Sequence, residues 1–173
     1  LTSPFLYVEN LHAGDIVRLH GFLYVARDAA HKKLIETYKK CGSFPFQIKN
    51  QGIYYAGPCP EKPGEIIGSV GPTTSGRMDV YTPTLLENGL KIMIGKGVRD
   101  QSVVEAIKKN KAAYLGATGG AGALISKCIK KQEIIAYTEL GPEALRKIYV
   151  EDFPAIVIID AQGNNLYTGG KND

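Results

Sequence analysis

The 173-residue chain contains no tryptophan, two methionines, three histidines and three cysteines. Cys41, Cys59 and Cys128 are odd in number and far apart, so they make neither a CxxC metal site nor a disulfide framework. Reduced thiols in an intracellular, cytoplasmic protein are the expectation. No apolar run approaches the roughly 20 residues that span a bilayer, so no membrane segment is expected. The stretch Leu1–Phe5 lacks a basic region followed by an apolar one, so no secretory signal is expected. Charge of one sign is also scarce: 21 Lys and Arg against 17 Asp and Glu leave +4, scattered except for short lysine pairs such as Lys108-Lys109. Nucleic-acid binders concentrate such charge beside aromatic stacking platforms. This weak surplus suits small anions at least as well.

What is present reads as one α/β domain with a mixed sheet. With 44% hydrophobic residues, a chain of this length fills its own core. Two strands are predicted at 15–20 and 22–26, around Gly21, followed by a helix over 28–40 with Asp28 as N-cap and Gly42 as its stop. Short strands follow at 52–56 and 65–70. Between them, residues 57–64 carry three prolines and read as a stiff loop. Beyond this point strands and helices alternate: a helix over 76–88 broken near Pro83, a strand at 91–94, a helix over 99–109, a strand at 112–115, and a helix from the glycines at 119–120 to about 127. Strands are predicted at 133–137, 146–150 and 155–160, with a hairpin through 162–165 into 166–168.

Chemistry concentrates at the strand-to-helix junctions, where α/β sheets place their ligands. The segment Gly71-Pro-Thr-Thr-Ser-Gly-Arg-Met-Asp79 follows a predicted strand and opens a predicted helix. Glycines permit close backbone approach, Thr73, Thr74 and Ser75 offer hydroxyls, and Arg77 offers a planar fork beside a helix N-terminus. One reading is a receptor for a carboxylate or phosphate. The other is a capped helix in which Arg77 pairs with Asp79. No Walker loop is formed, and Gly119, Gly120 and Gly122 do not match a dinucleotide fingerprint. Lys96, between Gly95 and Gly97, is an anion contact or a solvated loop lysine. Thr118 adds a hydroxyl at the next junction. Asp28 and His31 lie three apart at a helix start, which suits proton transfer if they share a face; otherwise they are a cap and a surface histidine.

The nine residues 71–79, together with Ala26-Arg-Asp-Ala-Ala-His31, Gly95-Lys-Gly97 and Val150-Glu-Asp-Phe-Pro-Ala155, resemble the β subunit of class I fumarases and L(+)-tartrate dehydratases. That subunit corresponds to the C-terminal domain of single-chain members, and the resemblance covers nearly the whole of 1–173. It implies a swivelling β/β/α domain of an iron–sulfur hydro-lyase that interconverts fumarate and (S)-malate. The [4Fe–4S] cluster is then expected on the α subunit, in an α2β2 assembly, with no cofactor on this chain. Arg77, Thr73 and Thr74 match the family motif best as substrate-carboxylate ligands, with Ser75 in the same run and Lys96 and Lys147 next. Arg27, Asp28 and His31 match the second motif and are expected to orient groups near the subunit junction. The family uses a hydroxyl as base; Thr118 is the one nearest the glycine run. L(+)-tartrate dehydration and a stand-alone dicarboxylate-binding module are the rival readings.

Overall fold

The first long strand runs unbroken through Gly21. In the computed structural model, which describes residues 1–118 and 122–168, β1 spans Ile16–Val25. Gly21 sits at φ 98°, and the register against the partner strand slips between Leu19 and Gly21. A Cβ there would collide with the Ser3 hydroxyl of the crossing N-terminal segment. Only glycine tolerates both the positive φ and that approach. The two predicted strands are therefore one strand with a bulge.

The remaining elements are α1 (Asp28–Cys41), β2 (Gly52–Tyr54), α2 (Thr82–Glu87), β3 (Ile92–Gly95), α3 (Gln101–Asn110), β4 (Ala113–Ala117), α4 (Gly122–Ser126), β5 (Ile129–Ala136) and β6 (Leu145–Ile159). Strands β1 to β4 pair in parallel, side by side. The 15-residue β6 merges two predicted strands. It runs antiparallel to both β4 and β1, closing the sheet on itself, while β5 pairs along its first half.

Alternation along the strands sends side chains to two separate cores. Leu23, Val25, Tyr54, Ile94, Leu115 and Val150 pack together inside the closed sheet. Tyr24, Ile53, Met93 and Tyr114 face the other way, against α1, α2 and α3. Helix α1 contributes Ala30, His31 and Leu34 to that second core, and α3 contributes Val103, Val104 and Ile107. Among the described residues, no helix is long and apolar enough to cross a membrane.

Two expectations fail locally. Residues 65–70 form no strand; their backbone instead spends Ser69 C=O on the Cys59 N–H and Val70 N–H on Gly122 C=O. Residues 166–168 form a turn held by one bridge, Ile159 to Asn165. The buried Asp160 organises the preceding turn, 160–164, by accepting from the N–H groups of Gln162 and Asn164, both at 3.0 Å, and from Ala13 N–H at 3.0 Å.

Candidate functional site

The carboxyl ends of the four parallel strands point the same way, and the polar junctions gather there. Arg27 follows β1, Lys96 follows β3 and Thr118 follows β4. The Thr73–Arg77 segment lies across the ends of β2 and β3: Thr73 N–H donates to Tyr55 C=O at 2.7 Å, and Ser75 N–H donates to Lys96 C=O at 2.8 Å. Thr74 and Lys96 form a parallel bridge. The close approach depends on Gly95, where a Cβ would strike the Ser75 hydroxyl and come within 2.8 Å of the Tyr55 ring. Gly95→Ala is accordingly expected to destabilise the fold by about 1–3 kcal/mol through overpacking, read as a lowered urea midpoint.

The expected helix over 76–88 is broken, as Pro83 required. Ser75–Met78 is a single 3-10 turn and α2 begins at Thr82, with Pro83 in its first turn. One short turn carries little macrodipole, so the positive character of this site comes from side chains. Arg77 and Lys96 are exposed, and neither has a carboxylate partner among the described residues. The capped-helix alternative fails on one point in particular: Asp79 binds Arg99, not Arg77, with Nε to Oδ1 at 2.6 Å.

Arg99 is the residue that sequence reasoning missed. It falls at the start of the predicted helix over 99–109, where the sequence gives it no role, yet its side chain is fully buried. It donates to the Tyr55 hydroxyl at 3.2 Å and to Thr82 Oγ1 at 2.9 Å, and its guanidinium lies 5.2 Å and 4.8 Å from the Tyr55 and Tyr114 ring centres. Burial opposes its charge, but Tyr55, Asp79 and Tyr114 outweigh that and hold its pKa above the ordinary value. Tyr114 donates to Gly97 C=O at 2.8 Å and meets Ser75 Oγ at 2.8 Å.

Three sequence expectations are corrected by these contacts. Ser75 is fully buried and its hydroxyl is engaged by Tyr114, so it turns away from any ligand that Thr74 and Arg77 meet. Lys147 is not gathered with the others. Its ammonium lies 4.4 Å from the Phe22 ring centre. It opens onto a groove of about 620 Å3 with Tyr24, Phe46 and Gln51, the last ahead of β2 and so toward the amino end of that strand. His31 is not a surface group. It is fully buried, edge-on to Tyr55, while Asp28 is partly exposed and is the first helical residue; Arg27 is the N-cap, without a side-chain cap. Arg27 is paired, its Nε 3.2 Å from Glu143 and 3.5 Å from Asp28, and its stem lies over the Gly57 backbone. Thr118 is exposed at the end of β4, its N–H given to Pro154 C=O.

The His31 ring fixes its own tautomer. Nδ1 lies 2.9 Å from Arg27 C=O, an acceptor only, so Nδ1 carries the proton and the buried Nε2 is left without a partner. Burial, reinforced by the positive Arg99 and opposed by the Arg27 carbonyl and Asp28, lowers its pKa from 6.5 to about 4. The folded protein thus holds this imidazole neutral while the unfolded chain takes up a proton below pH 6.5. Stability is therefore full above that pH and falls toward pH 4 by up to about 1.4 kcal/mol per unit. His31→Asn, which keeps a donor near Nδ1, is expected to flatten the difference between urea midpoints at pH 7 and pH 5.

Chemically, the strand ends offer two unpaired cations and three hydroxyls, a set that recognises carboxylates and moves protons. No group of three or more His, Cys, Asp or Glu among the described residues is placed to hold a metal ion. Cys41 ends α1 and Cys59 lies in a loop, both exposed, and Cys128 is half-buried elsewhere, a donor set that does not fit an iron–sulfur cluster.

The family model described as "Fumarase C-terminus" matches residues 6–170. The aerobic class I fumarate hydratase of Escherichia coli K12 is 46% identical over 151 residues, covering 86% of this chain and 28% of that protein. Fumarate hydratase 2 of Leishmania major is 44% identical over 157 residues, covering 90% and 28%. A putative L(+)-tartrate dehydratase subunit beta of Methanocaldococcus jannaschii is 37% identical over 166 residues, covering 92% of this chain and 85% of that subunit. The chain spans little more than a quarter of the fumarate hydratases it matches. With the match running over nearly all of its length, the chain belongs to the fumarase C-terminus family.

Proposed function

We propose that this chain acts as the β subunit of a class I fumarate hydratase, adding water reversibly to fumarate to give (S)-malate. The observation that carries the reading is the pair of exposed cations, Arg77 and Lys96, without carboxylate partners among the described residues, on two segments tied together at one strand-end face beside Thr73 and Thr74. A C4 dicarboxylate presents two separated negative charges. Arg77 meets one carboxylate as a bidentate fork and Lys96 meets the other as a point charge. Losing or gaining the proton beside a carboxylate gathers further charge on its oxygens, so fixed cations there favour the transition state over the bound substrate. The proton is carried by one of the hydroxyls of Thr73, Thr74 and Thr118. Arg27, held by Glu143 and Asp28, orients the face from its edge.

Under this reading the cluster belongs to an α subunit, since the donor set of this chain does not fit one, and the chain is inactive alone. The match over most of a subunit called beta in Methanocaldococcus jannaschii supports a two-polypeptide organisation. It also keeps L(+)-tartrate in view as substrate. The test is co-expression with a class I fumarase α subunit, anaerobic cluster reconstitution, and parallel assays of fumarate hydration and L(+)-tartrate dehydration. Turnover of fumarate by the pair, and by neither chain alone, is expected. Turnover of tartrate alone moves the reading to the second substrate. Silence of the pair on both, with tight dicarboxylate binding by this chain unaided, leaves only a binding module. Individual Thr→Val replacements then identify the proton carrier as the one whose loss lowers kcat at least ~100-fold.

A further inference from the structure

The hydroxyl run of the substrate turn is split between exposed and buried positions. Thr74 is exposed and Thr73 half-buried, whereas Ser75 is fully buried and its Oγ meets Tyr114 at 2.8 Å. The single phenolic proton of Tyr114 goes to Gly97 C=O at 2.8 Å. The Ser75 hydroxyl therefore donates to Tyr114, and the chain runs in one direction: Ser75 O–H to Tyr114 O–H to Gly97 C=O. Burial raises the Tyr114 pKa above the ordinary phenol range, so the proton stays in place. Gly97 adjoins Lys96, and Ser75 lies two residues from Arg77. The same ring lies against Arg99, whose partner Asp79 ends the motif and one of whose further partners, Tyr55, accepts Thr73 N–H through its carbonyl.

We propose that Tyr114 is a positioning residue that sets the spacing between the Arg77 turn and the Lys96 loop, and so the length of dicarboxylate the site accepts. The inference rests on the proposed hydro-lyase reading for its substrate, but the geometry of the link does not. From behind the substrate face, the phenol fastens both cation-bearing segments to β4 and hence to each other. A site whose two anion contacts are held at a fixed separation discriminates by chain length; one whose segments drift does not.

Tyr114→Phe is the variant of choice. It keeps the ring against Arg99 and removes only the hydroxyl, so the fold survives. In the assembled complex, KM for fumarate is expected to rise about 10-fold with kcat changed less than threefold, and the preference for succinate over the one-methylene-longer glutarate as competitive inhibitors to narrow by a similar factor. Ser75→Ala breaks the same link from its other end. The double variant is expected to be no worse than the worse single one, because both act through one bond. A merely structural role would lower the melting temperature without moving KM or the preference, and that result overturns the proposal. The second readout needs no substrate. Exchange of the Ser75 amide, bonded to Lys96 C=O, is expected to quicken at least ~10-fold in Tyr114→Phe, while the β3 amides of Ile92 and Ile94 keep their protection. Unchanged Ser75 protection sinks the link outright. Quickened exchange in a complex that turns over neither fumarate nor tartrate keeps the link and removes the hydro-lyase reading instead.

Discussion

Asp79→Ala is expected to lower the unfolding free energy by about 3–5 kcal/mol, the cost of leaving a buried guanidinium without its counter-charge. Arg99 has no exposed side-chain surface and Asp79 is only 13% exposed, so water cannot replace the lost carboxylate cheaply. The other Arg99 partners, Tyr55, Thr82 and the Met93 sulfur, are neutral. Asp79 also accepts from the Asp100 N–H at 2.8 Å through its second oxygen, so the substitution frees the start of α3 as well. The decisive comparison is Asp79→Ala with Arg99→Met, made singly and together. The double variant should be more stable than Asp79→Ala alone, because it removes the stranded charge. If Asp79→Ala costs less than about 1 kcal/mol by urea unfolding, the pair is not the anchor described here.

Arg77 is the opposite case. It makes no described contact that holds the fold, so Arg77→Ala should leave the melting curve where it is. In the assembled enzyme it should cut kcat/KM at least ~10^3-fold, the loss of a bidentate carboxylate contact that strengthens as charge develops. Arg77→Lys keeps the charge without the fork and should recover part of that, ending at least ~10-fold below the native enzyme. Near-native turnover in either variant would remove Arg77 from the site. The two arginines of one neighbourhood thus divide the work: substitution around Arg99 is read in stability, and substitution of Arg77 in rate.

This division was invisible in the sequence, and the reason is geometric. Helices α1 and α3 and strands β3 and β4 were legible because period 3.6 or a short apolar run between Gly, Asp and Lys signals is a local property. Long strands with irregular points were not. Gly21 in β1 and the Glu151–Pro154 stretch in β6 read as punctuation, whereas both are absorbed in a single register slip between these two continuous strands. The Ile66–Val70 run had strand-like residues but found no strand to pair with. At the site, Arg27, Thr73, Thr74, Arg77, Lys96 and Thr118 stood out partly by their places at strand-to-helix junctions and partly through the family resemblance. Which way each side chain points in an irregular turn follows no period. Ser75 and Arg99 therefore went unseen as interior groups, and Lys147, although paired with β1 at Tyr24, opens onto a separate groove.

The closing strand has a bearing on how the chain is made. β6 joins Val25 to Arg146 and Tyr114 to Ile159, so its hydrogen bonds span most of the polypeptide. Until Ile159 leaves the ribosome, β1 and β4 have each an open flank of unsatisfied backbone groups, the kind of edge that recruits stray strands from other molecules. Loop-closure entropy must be overcome before the last strand is rewarded. Nascent or truncated forms ending before this point should accumulate in inclusion bodies rather than as folded fragments.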